Sequence, residues 1–183
     1  DCADNDLKEL DITLLLSLKT RNVTGNPNLT KIYVWTGFVE PSGFSKPETT
    51  QYVEPELPTP AGYKLVWQDE FNVPGESLPD TKKWWYETGG GGWGNNELQE
   101  YVPGTFKGEM IAKVADGKLT ITAAKIDGQV RSIRVNTTEA WTYGYFEARL
   151  KLPKGKGTWP AFWMMPKNFT GWPKDGEIDI MEH

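Results

Sequence analysis

Glycine and proline break this chain so often that no stretch keeps the 3.6-residue apolar period of a useful amphipathic helix, and that feature constrains the fold more than any other. With 19 Gly and 13 Pro among 183 residues, the apolar side chains fall into short β-like runs separated by turn chemistry. The runs are "YKLVWQDEF" from Tyr63, "KLTITAAKI" from Lys118, "SIRVNT" from Ser132, "YGYFEARLKL" from Tyr143 and "TWPAFWMMP" from Thr158. Short strands joined by Gly- and Pro-rich turns predict an all-β sandwich rather than alternating βαβ units. No internal repeat is visible.

Ahead of these runs, Leu10, Ile12, Leu14, Leu16 and Leu18 recur at period two, and "KIYVWTGFV" from Lys31 is again β-rich. Residues 1–39 are therefore expected as a short N-terminal β segment, with "TGNPN" (Thr24 to Asn28) as the turn. Glu40 to Pro60 then packs five prolines into an acidic, polar stretch with no apolar period. That composition predicts an extended, semi-rigid linker over residues 40–62 and a domain boundary near Gly62, with the main domain over residues 63–183.

Charge and composition narrow the partners. The formal net charge of −5 comes with no basic block or Lys/Arg stripe, which argues against nucleic acid and against an anionic membrane surface. Cys2 is the sole cysteine and His183 the sole histidine, so neither an intrachain disulfide nor zinc spacing nor a His-based triad is available. No run approaches the roughly 18 apolar residues of a membrane span. Cys2 reads either as an incidental thiol or as a lipid-attachment site near a processed N-terminus. The aromatic content of 13%, with nine Trp, exceeds what a core of this size requires and points to a flat, neutral ligand.

The segment "DGEIDIMEH", Asp175 to His183, crowds carboxylates onto one apolar run. Side chains two apart on a strand share a face, so Glu177 and Asp179 point together. Glu182 lies five positions from Glu177 and falls on the wrong face unless a β-bulge around Ile180 and Met181 absorbs one residue. Three like charges on one face cost folding energy. A solvated strand face or an oxygen-ligand calcium site accounts for them as readily as catalysis does on spacing alone. Retaining glycosidases require such a pair, one ionised and one protonated, about 5–5.5 Å apart.

The surroundings favour a sugar ligand. "GGGGWGNNELQEY" (Gly89 to Tyr101) is a glycine-rich loop displaying Trp93, Asn95, Glu97, Gln99 and Tyr101, and it lacks the Lys-Ser/Thr ending of a phosphate loop. "GKGTWPAFWMMP" (Gly155 to Pro166) offers Trp159 and Trp163 just before the carboxylate strand. Aromatic faces stack on the C–H faces of sugar rings while amides, carboxylates and guanidinium groups meet the hydroxyls. Trp67 and Trp84 are assigned to the core.

Together "WGNNELQEY", "SIRVNT", "GYFEARLKLPKGKGTWPAFWMMP" and "GEIDIMEH" closely resemble glycoside hydrolase family 16 in its laminarinase-like branch, from about Tyr63 to His183. The resemblance implies a β-jelly-roll sandwich with a concave substrate cleft, of which the sequence covers about half. A completing chain or segment is expected to supply the rest. It makes Glu177 the nucleophile, Asp179 its helper and Glu182 the acid/base, and lines the cleft with Trp159, Trp163, Asn95, Arg134 and Trp93, with Glu97 and His183 as further sugar contacts. No cofactor is required for catalysis; a structural calcium ion held in part by Glu70 is implied for some members. The expected activity is retaining endo-hydrolysis of β-1,3 or mixed β-1,3/1,4-glucan by a secreted or surface-attached enzyme. The alternatives are a non-catalytic β-glucan-binding protein and a same-fold hydrolase of a sulfated galactan.

Overall fold

In a computed structural model the structure describes residues 1–16, 18–56 and 59–183. Ser17, within the first expected strand, and Leu57 and Pro58, within the expected linker, lie outside the described residues. The described chain is built of short strands, with one 3₁₀ turn at Gly92–Gly94 as its helical element. It divides into two compact units, Asp1–Thr138 and Glu139–His183.

The first unit opens with a parallel coil. Strands β1 (Glu9–Asp11), β3 (Lys31–Tyr33) and β5 (Gln51–Val53) form one ladder, and β2 (Thr20–Asn22) and β4 (Gly43–Ser45) form a second. Residues Cys2 and Asp4 extend the second ladder by donating their N–H groups to Asn22 O and Thr24 O. The chain therefore winds from one ladder to the other and back. Glu9 pairs Lys31 and Lys31 pairs Gln51, giving steps of 31 − 9 = 22 and 51 − 31 = 20 residues. Such winding suits parallel pairing, which needs a crossover of a dozen residues or more. Inside, Ile12, Val23, Leu29, Ile32, Val34 and Phe44 form a buried cluster. Asn26, fully buried, donates to Cys2 O at 2.9 Å and Val23 O at 2.9 Å and accepts from Leu7 N at 3.0 Å, tying successive turns together.

This coil corrects three expectations. The residues expected as a linker supply β4 and β5, and Phe44 and Tyr52 pack on the buried cluster, so residues 40–53 are part of the coil. An internal repeat does exist, as the rungs just described. The strand expected over residues 10–18 stops at Asp11, because the Asp11 carboxylate accepts from Thr13 N and Thr13 Oγ1 and turns the chain. Leu14 is consequently 90% exposed while Leu16 is buried.

The remainder of the first unit comprises β6 (Trp84–Glu87), β7 (Glu100–Tyr101), β8 (Thr105–Phe106), β9 (Glu109–Met110), β10 (Ala112–Ala115), β11 (Lys118–Ile121), β12 (Ala124–Ile126), β13 (Gln129–Ser132) and β14 (Arg134–Thr137). They pair as β6 with β14, β8 with β9, β10 with β11, and β12–β13–β7 as a three-stranded sheet. Val102, Ile111, Ala112 and Ile133 form the buried cluster they share. Trp67 and Trp84 pack edge to face at 5.3 Å, but both are half-buried rather than enclosed. "YKLVWQDEF" and "YGYFEARLKL" form no strand: no described strand pairs with them, and Val66 and Tyr143 stay 72% and 90% exposed. The second unit carries β15 (Ala161–Met164) and β16 (Ile178–Glu182), an antiparallel pair.

Candidate active site

The β15–β16 ladder decides which way the carboxylates face. Met164 pairs Ile178 and Trp163 pairs Asp179, but Phe162 pairs Met181 and Ala161 pairs Glu182, so the register skips Ile180. This is the bulge that the spacing demanded. Partners opposite one another in a ladder share a face, and Ala161 and Trp163 share one by alternation. Their partners Glu182 and Asp179 therefore lie on that same face, and Glu177 stands two residues before Asp179, just ahead of β16. Phe162 and Met181 take the other side. All three carboxylates are exposed, and Trp159, two residues before Ala161, is 52% exposed. His183, just past β16, is exposed and donates its N–H to Pro160 O at 3.2 Å.

The loop that leads into Glu177 is fastened at its base. Asp175 accepts from Thr170 N, from Thr170 Oγ1 at 2.8 Å and from Gly171 N at 2.9 Å. The Thr170 and Gly171 donors hold the Asp175 carboxyl below its usual range.

In the first unit a polar and aromatic network gathers the other expected residues. Trp93 sits in a left-handed backbone conformation with φ 47°, inside the glycine-rich loop, and its Nε1 donates to Gly89 O at 3.2 Å. The Arg134 guanidinium lies 4.7 Å over the Trp93 ring, and Tyr101 meets that ring edge to face at 5.5 Å. Asn95 Nδ2 donates to Glu97 Oε1 at 3.3 Å; Glu97 Oε2 accepts from Gln99 Nε2 at 2.9 Å and from the Tyr101 hydroxyl. Burial pushes the Tyr101 phenol up to about 12, with the bond to Glu97 adding to the rise. Arg134 Nε donates to Glu87 Oε2, which also accepts from Asn136 Nδ2 at 3.3 Å.

Asn95, Trp93, Glu97 and Arg134 thus meet in one cluster. Sequence reasoning missed Glu87, and named Gln99 and Tyr101 only as loop residues. Their period of two with Glu97 was a readable signal. Glu70 is exposed, and among the described residues no group of three His, Cys, Asp or Glu side chains is placed to hold a metal ion. The calcium expected there has no acidic donor set in this structure, and no step below runs through it.

Comparison with known proteins then bears on these clusters. Residues 98–183 match the family described as "XgeA-like, catalytic GH16 domain". Over this stretch the chain is similar to the catalytic domain of glycoside hydrolase family 16. Among family 16 relatives and similar chains, a beta-glucanase of Rhodothermus marinus is 48% identical over 130 residues, covering 66% of this chain and 44% of the relative. A glucan endo-1,3-beta-glucosidase of Cryptopygus antarcticus is 47% identical over 129 residues, covering 65% of this chain and 45% of the relative. The X-ray structure of the Rhodothermus marinus laminarinase superposes with a TM-score of 0.58 at 46% identity, over 66% of this chain and 49% of that one. The chain spans less than half the length of these relatives. The all-β architecture agrees with the jelly-roll class expected from the sequence, although its small sheets do not close on one another.

Proposed function

We propose that this chain carries the catalytic strand of a retaining endo-glycosidase acting on β-1,3 or mixed β-1,3/1,4-glucan. One observation carries the reading. The skipped residue at Ile180 leaves Asp179 and Glu182 facing the same way as Trp163, and Glu177 stands two residues before Asp179, just ahead of the strand. A strand that merely exposed charge to water would have no use for that register shift.

In the proposed reaction Glu177 attacks the anomeric carbon while Glu182 gives its proton to the leaving glycosidic oxygen. Glu182, now a carboxylate, then takes a proton from water, which attacks the same carbon, releases Glu177 and preserves the anomeric configuration. Asp179, between the two, hydrogen-bonds the nucleophile and keeps the pair's protonation states apart. Trp159 and Trp163 provide flat faces for the sugar rings. Within the first unit by itself, Asn95, Glu97 and Arg134 offer groups suited to sugar hydroxyls.

A polymeric substrate and the lack of a basic surface fit action outside the cell, secreted or attached at the surface. No described helix is long and apolar enough to cross a membrane. The exposed Cys2 as a lipid anchor belongs to the same reading.

Glu177→Gln tests it. The variant is expected to lose hydrolysis of laminarin by several orders of magnitude while still binding laminari-oligosaccharides. Hydrolysis at an undiminished rate would remove Glu177 as the nucleophile.

A further inference from the structure

We infer that Glu87, the last residue of β6 just ahead of the glycine-rich loop and absent from the expected site, is the positioning residue for Arg134. The inference rests on the sugar-binding role proposed above for Arg134. It starts from the β6–β14 ladder, where Arg134 stands directly opposite Glu87. Cross-strand partners of this kind have Cβ atoms about 4.5–5.5 Å apart, close enough for a carboxylate to reach the inner Nε of a guanidinium. Arg134 Nε donates to Glu87 Oε2, and Asn136, two residues on along the same face of β14, brings a second donor to that oxygen at 3.3 Å.

The guanidinium is held from a second side. Its plane lies 4.7 Å over the Trp93 ring, and Trp93 is itself fixed by the left-handed backbone at φ 47°, by the Nε1 bond to Gly89 O and by the edge of Tyr101. One face of Trp93 is therefore given to Arg134. The ring serves as a support for the cation on that side, which revises its expected part as a bare sugar platform.

Arginine carries so much rotamer freedom that an untethered side chain loses conformational entropy when a ligand fixes it. Glu87 and Trp93 together impose that order before any ligand arrives, one by a charge-assisted hydrogen bond and the other through its π face. Glu87 then contributes to affinity through Arg134 without touching the sugar. No part of the reaction chemistry passes through it, so its removal weakens binding more than turnover.

The experiment uses the full-length enzyme and four substitutions: Glu87→Ala, Glu87→Gln, Arg134→Ala and the Ala/Ala double variant. Binding of laminaripentaose is measured in the Glu177→Gln background, kcat and KM for laminarin in the active one, and the Arg134 Nε–H resonance by NMR. Glu87→Ala is expected to weaken binding about tenfold and to raise KM with kcat within about threefold, as the loss of one charge-assisted bond implies. Glu87→Gln, which keeps an acceptor oxygen, recovers part of the loss. In the Arg134→Ala background Glu87→Ala changes binding less than about twofold. The Arg134 Nε–H resonance moves to the position of a solvated arginine in Glu87→Ala. Equal losses with and without Arg134, or an unmoved resonance, would overturn the inference. A protein that binds no laminaripentaose at all, yet shows the resonance shift, would sink the glucan reading and leave the Glu87–Arg134 coupling standing.

Discussion

The phenol of Tyr101 donates to Glu97 and accepts from Gln99 Nε2 at 2.8 Å, so it helps hold the Glu97 carboxylate of the glycine-rich loop in place. Burial first, and then the bond to Glu97, push its ionisation up to about 12; Tyr52 in the N-terminal coil is pushed to about 12 as well, by burial and then by Glu40. Because folding keeps both phenols neutral beyond the ordinary tyrosine value of about 10, their stabilising effect is complete below about pH 10 and is lost as the pH climbs through about 12. An ultraviolet pH titration is expected to show two tyrosines ionising near 12, one of them missing in Tyr101→Phe; a titration in which every tyrosine ionises near 10 would contradict this environment. Glu97, Gln99 and Tyr101 were legible in the sequence because they alternate along an extended run into β7. Glu87 was not, since its partner Arg134 is 47 residues away and only the β6–β14 pairing joins them.

At the scale of elements, the register of β16 depends on one residue. Spacing alone required a bulge, because Glu177 and Glu182 are five positions apart, and the skipped Ile180 provides it. Deleting Ile180 would leave Asp179 and Glu182 two positions apart, on one face of a regular ladder, so the role of Glu182 is tested by Glu182→Gln instead. Loss of the acid/base is expected to cost about 10²–10⁴-fold in kcat for laminarin, with far-UV circular dichroism unchanged. Full activity in Glu182→Gln would remove Glu182 as the acid/base. The N-terminal coil was much less legible. Leu7, Leu10 and Ile12 are matched by Leu29, Ile32 and Val34 at the same spacing, but the third rung places Thr50 and Tyr52 where a leucine pattern would continue. Thr50 is buried there through a hydroxyl donation to Leu29 O at 2.7 Å, which composition does not reveal. The prolines around it gave the false signal of a linker: they sit in turns such as Pro41 and Pro47, whose carbonyls accept from Phe44 N and Thr50 N.

At the scale of the molecule, two compact units divide the labour that the reading assigns. Asp1–Thr138 carries the coil and the Trp93–Arg134–Glu97 network, and Glu139–His183 carries the bulged hairpin with the three carboxylates. The family match begins at residue 98, so the coil lies outside it. A net charge of −5 without a basic stripe suits a neutral polymer, which needs hydrogen-bonding groups and flat apolar faces rather than counter-charge. In the proposed mechanism hydrolysis proceeds through a glucosyl ester on Glu177. Incubating the full-length enzyme with a 2-deoxy-2-fluoro β-1,3-glucosyl donor slows breakdown of that ester, and peptide mass spectrometry then locates it. A stoichiometric adduct is expected on the peptide containing Glu177, absent in Glu177→Gln; an enzyme that hydrolyses laminarin yet carries the label on Asp179 or Glu182, or carries none, would contradict this mechanism.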